Sequence, residues 1–184
     1  MESTLLSRSR SLGESFLKFV NYAVSPYHAV DWCRTKLTSC GFTELHEIDN
    51  WKLEPGSKYF FTRNYTTLVA FTVGADFDPN ATGFKTIGAH TDSPCLKLNP
   101  VSIMTKKNIE QCSVSLYGGG LWHTWFDRDL IVAGRVVYEE EGKFTSKLWK
   151  SQRPLLKVPN LAIHLSTDRN KFEPGKEEHI RPVM

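Results

Sequence analysis

Residues 88–95 read GAHTDSPC, with His90 and Asp92 two positions apart. An imidazole is a good neutral ligand for Zn²⁺, and its second ring nitrogen needs an acceptor, which a nearby carboxylate provides. On an extended chain, residues two apart face the same side, so His90 and Asp92 can address one pocket. Pro94 then ends any ladder because it has no N–H to donate. The pair is either half of a metal site or a satisfied structural contact, since a catalytic zinc needs three protein ligands and a water.

Other residues invite chemistry less strongly. Asp127, Arg128 and Asp129 place two carboxylates on one side of an extended segment, a spacing suited to acid and base work, yet a structural ion pair with a nearby basic residue is the simpler role. Gly118, Gly119 and Gly120 lack the Lys-Ser or Lys-Thr of a phosphate cradle and read as a tight turn, with Trp122, Trp125 and Phe126 packed beneath it. His164 lies in the apolar run 161–165, where a hydrogen-bonded core histidine is the default. His28 and His123 read as packing or surface residues. Cys33, Cys40, Cys95 and Cys112 form no C-x-x-C pair and read as reduced thiols.

The 184 residues suffice for one ordinary domain or two small ones, and 40% hydrophobic with 23% charged residues describes a chain able to bury a core. A net charge of +3, from 23 basic and 20 acidic residues spread along the chain, offers no basic face for nucleic acid. No secretory signal and no apolar run near a membrane span is legible. These features predict a cytoplasmic protein without nucleic-acid or membrane partners.

The elements that must position His90 follow from periodicity. Apolar residues at helical spacing predict a helix over residues 11–23, and Ser25-Pro26 opens a second that ends at Cys40-Gly41. β-branched and aromatic runs at 58–63 and 66–73, separated by Asn64-Tyr65, predict a hairpin. Residues 75–83 form a loop by their turn chemistry, and 84–89 predict a short buried strand delivering His90 at its carboxyl end, where ligands gather in open α/β sheets. Strands are then expected at 112–117, 130–138, 143–149 and 155–158, making a β-rich unit with a boundary near residue 100. Residues 166–184 show polar turns and no cap.

Several longer motifs carry a family resemblance. FVNYAVSPYHAV (19–30), KYFFTR (58–63), GAHTDSPCLKL (88–98), YGGGLWHTWFDRD (117–129) and PNLAIHL (159–165) together resemble the aspartyl aminopeptidases, a family of co-catalytic dizinc exopeptidases. The similarity covers roughly residues 15–184, in order. It implies an α/β fold: residues 1–100 as the first part of a zinc-peptidase domain, and 101–184 as the start of an inserted β-rich dimerisation domain. It also implies removal of N-terminal Asp or Glu from peptides by a homo-oligomer, typically a dodecamer.

Carried over residue by residue, His90 matches a zinc ligand and Asp92 the catalytic-site carboxylate that supports it. His164 matches a histidine that reaches a neighbouring subunit's active site near substrate. The family's bridging aspartate, Glu-Glu pair, further acidic ligand and distal histidine have no counterpart here, and Asn160 stands where relatives often have histidine. The expectation is an N-terminal segment, inactive in isolation; the alternative is a truncated non-catalytic fragment acting only through its oligomerisation surface.

Overall fold

A computed structural model describes residues 2–166, 169–175 and 178–184. The chain divides into two compact units, residues 1–92 and 93–184.

The first unit opens with α1 (Glu2–Tyr22) and α2 (Pro26–Ser39). α1 begins well before the helix expected from residue 11, because nothing between Glu2 and that point breaks it and its Leu and Arg residues favour helix. Its last turn packs on α2, where Phe19 and Tyr22 meet the Trp32 ring at 6.1 and 5.5 Å. α2 starts as its sequence dictates. The Ser25 hydroxyl accepts from the His28 N–H, Pro26 occupies the first turn, and Gly41 leaves the helix at φ +79°, a left-handed conformation that glycine adopts without a Cβ clash.

β1 (Thr43–Glu44) runs parallel to β2 (Lys58–Arg63), which pairs antiparallel with β3 (Thr67–Thr72). The core is Ala29 and Val30 of α2 with Tyr59 and Phe60 of β2, Phe60 being fully buried. Arg34 ties α2 to β1 through a two-bond contact to Glu44, at 3.0 Å from Nε and 2.9 Å from Nη2. The β2–β3 connection is the expected hairpin, with Asn64 at φ 51° and Tyr65 at φ 57°, the pair of positive values a right-twisted hairpin turn requires.

The buried strand expected over residues 84–89 does not form. The segment takes no regular structure and has no ladder partner among the described residues, and Phe84 and Ile87 are 85% and 98% exposed. β-branched composition supplies a propensity only; a strand also needs neighbours to take its N–H and C=O groups and cover its faces.

Among its described residues, the regular structure of the second unit is β apart from single 3₁₀ turns. β4 (Cys95–Lys106) and β5 (Ile109–Tyr117) form a hairpin whose turn residues Lys107 and Asn108 have φ 52° and 60°. β4 was not legible as a strand because Asn99-Pro100 interrupts it. The structure absorbs the proline in a register shift between Leu98 and Ile103, so β4 runs on through residue 100. Asn99 fastens the shift, donating to Ser113 Oγ at 2.7 Å and accepting from Ser115 Oγ at 2.5 Å.

β6 (Asp129–Leu130) pairs with β9 (Leu156–Lys157), and β7 (Ala133–Glu140) with β8 (Lys143–Lys150). The run expected as one strand over 130–138 is thus split between β6 and β7. The final residues dock rather than trail: Val183 exchanges backbone bonds with Lys157 at 2.8 and 3.0 Å, the Pro182 carbonyl accepts the Cys112 N–H at 2.8 Å, and Ile180 and Pro182 are buried.

Candidate metal-ligand site at His90

Without a strand beneath it, the His90 stretch is held by side chains. His90 Nδ1 lies 2.9 Å from Asp92 Oδ1, with the imidazole 91% and the carboxylate 31% exposed. An ionised carboxylate can only accept, so Nδ1 is the donor in this contact, and a neutral ring then carries its lone pair on Nε2. Between the two, the Thr91 hydroxyl donates to the backbone carbonyl of Thr66 at 2.7 Å, joining the stretch to the end of the β2–β3 turn. Thr91 drew no attention in the sequence. No spacing rule could have found it, since Thr91 sits at a bend and its acceptor lies 25 residues away.

The donor set fits part of a zinc centre. His90 offers one nitrogen of the right type, and Asp92 the acceptor on the opposite ring nitrogen that zinc-bound histidines ordinarily have. Among the described residues no group of three or more His, Cys, Asp or Glu side chains converges to complete a site.

The remaining candidates fall elsewhere. His164 lies on a single 3₁₀ turn, Ile163–Leu165, and is exposed rather than in the core, as are Leu161, Ile163 and Leu165. An apolar run is buried only where something packs on it. Among the described residues Asp127 makes no ion pair: its Oδ1 accepts the Asn160 N–H at 3.0 Å while its own N–H bonds the Val158 carbonyl at 2.8 Å. Arg128 donates to the Thr124 carbonyl at 3.3 Å.

The glycine run is a turn. Gly118 takes φ +80° against Pro94, and the Trp122 ring comes within 3.0 Å of where a Cβ on Gly120 would sit. His28 is a packing residue, buried with its Nδ1 2.8 Å from Ser25 Oγ. Burial pushes the Cys33 and Cys112 thiols up, away from the reactive thiolate.

Residues 19–184 match the model of the Aminopeptidase I zinc metalloprotease (M18) family, and the chain belongs to that family. The aspartyl aminopeptidase of Caenorhabditis elegans is 45% identical over 175 residues, which cover 95% of this chain and 37% of the relative. Among solved structures, one determined for a complex of Ape4 and Nbr1 is 43% identical with a TM-score of 0.90, covering 96% of this chain and 34% of the matched one. The mApe1 dodecamer of S. cerevisiae is 32% identical with a TM-score of 0.76, covering 84% and 36%. The chain therefore spans little more than a third of the length of these relatives. No helix among the described residues is long and apolar enough to cross a membrane.

Proposed function

We propose that this chain contributes one metal ligand and part of the assembly surface of a cytoplasmic zinc aminopeptidase that releases N-terminal Asp or Glu from peptides. The observation that carries the reading is the His90–Asp92 contact, with the ring exposed, in a chain of the M18 family. In this reading residues 1–100 are the first part of the peptidase domain and 101–184 the start of an inserted dimerisation domain.

His90 holds a zinc ion through Nε2, and Asp92 accepts the Nδ1 proton, fixing the tautomer and raising the basicity of the ligating nitrogen. Two zinc ions, when bound, supply polarisation of the scissile carbonyl and a water acidified toward neutral pH. His164 donates to the acidic side chain of the peptide in a neighbouring copy, so a complete site requires assembly. Its exposed position, among exposed Leu161, Ile163 and Leu165, suits a segment covered by another subunit. The mApe1 relative's dodecamer supports the same reading, as do relatives named aspartyl aminopeptidase.

A second reading is a non-catalytic module acting only through its oligomerisation surface. It is favoured by the absence of a third converging ligand among the described residues. One assay separates the two. The complete gene product is offered peptides beginning with Asp, Glu, Ala or Leu, with and without a chelator. The peptidase reading expects chelator-sensitive release of the acidic residues, lost in His90→Ala; no release from any peptide supports the module.

A further inference from the structure

Nothing regular holds His90 in place. Residues 84–90 have no ladder partner among the described residues, and the His90 ring is too exposed to be fixed by packing. A ligand meant to meet a metal at a set distance and direction needs support within a fraction of an ångström. The Thr91 hydroxyl, donated to the Thr66 carbonyl at 2.7 Å, is a contact of the right kind and in the right place.

The acceptor is well chosen. Thr66 lies in the turn, before the first cross-strand pair Arg63–Thr67, so the β2–β3 ladder makes no claim on its carbonyl. The turn is itself held by the Thr66 N–H bonded to the Arg63 carbonyl at 3.2 Å, and the Arg63 side chain is bonded in turn to Glu47. Thr91 is suited to the part because its β-branched side chain has few rotamers and carries a donor. The chain bends at Thr91, with the Thr91 hydroxyl bonded to the hairpin and the His90 and Asp92 side chains bonded to each other.

We propose that Thr91 is a positioning residue. Its hydrogen bond to the Thr66 carbonyl pins the His-Thr-Asp stretch to the β2–β3 turn, and so keeps the Nε2 of His90 presented and its Nδ1 on Asp92. The inference rests on the reading of His90 as a metal ligand, but it concerns only the geometry of the ligand.

Nitrogen-resolved NMR of the 184-residue chain tests it, comparing wild type with Thr91→Val, which keeps the shape without the donor, and Thr91→Ser, which keeps the donor. In wild type and Thr91→Ser the His90 ring is expected as a single tautomer protonated at Nδ1. In Thr91→Val its signals average between tautomers, and the zinc concentration needed to shift Nε2 rises about tenfold, as for other losses of a ligand's outer support. Unchanged His90 signals and an unchanged zinc midpoint in Thr91→Val overturn the inference.

If zinc moves His90 in none of the proteins while the tautomer pattern is as expected, the positioning role stands; the ligand reading fails separately if the complete protein binds zinc equally well with His90→Ala. Should the valine variant not fold, Thr91→Ala set against Thr91→Ser makes the same comparison, and identical His90 signals in those two overturn the inference.

Discussion

The Nδ1 of His90 and the Oδ1 of Asp92 stand 2.9 Å apart, and the rest of the imidazole faces open space. A carboxylate placed this way does two things to a ligand: it selects the tautomer, and it strengthens the lone pair on the far nitrogen. Asp92→Asn keeps the shape but removes the charge, and its amide nitrogen can face the ring as a second donor. Zinc affinity of the complete protein is expected to fall about 10- to 100-fold. A competition titration against a zinc chelator measures it, and wild-type affinity in Asp92→Asn would deny the carboxylate its role.

A second relationship joins the two helices. Tyr22 donates its phenolic proton to Asp31 Oδ2 at 2.5 Å, and that hydrogen bond, with burial and the carboxylate's charge, pushes the Tyr22 pKa from 10.0 to about 12. The folded state thus holds the Tyr22 proton more tightly than the unfolded chain does. The contribution to stability is complete below the unfolded value near 10 and is lost as pH rises toward about 12. Thermal unfolding of wild type and Tyr22→Phe, followed across that alkaline range, should show the gap between them closing as pH rises. A gap that stays constant would mean that Tyr22 ionises at its ordinary value.

Tyr65 occupies the hairpin turn at φ 57°, a conformation that crowds the Cβ of any residue other than glycine. Tyr65→Gly, which recreates the favoured Asn-Gly hairpin pair, should stabilise the protein by about 1 kcal/mol in urea unfolding. The Tyr65 ring is half exposed, so little packing is given up. A destabilised variant would show that contacts of the ring outweigh the backbone strain.

Much of the fold is local and was legible for that reason. Ser25-Pro26 and Gly41 bound α2 because caps act within one turn of chain, and Asn64-Tyr65 marks a hairpin because turn chemistry is confined to the turn. What could not be read depends on partners distant in sequence. Residues 84–89 have the composition of a strand and pair with none of the described residues, whereas β4 looked broken at Pro100 and pairs with β5 on both sides of it. Of the candidate site, the His90–Asp92 contact followed from a two-residue spacing. The Thr91–Thr66 bond, spanning 25 residues, did not.

The central claim is that the Nε2 of His90 binds zinc. Crystals of the complete protein grown with zinc, with data collected at the zinc absorption edge, test it most directly. The account predicts an anomalous peak about 2.0–2.1 Å from His90 Nε2, with Asp92 still on Nδ1. Zinc bound at other residues, with His90 Nε2 left in solvent, would contradict it.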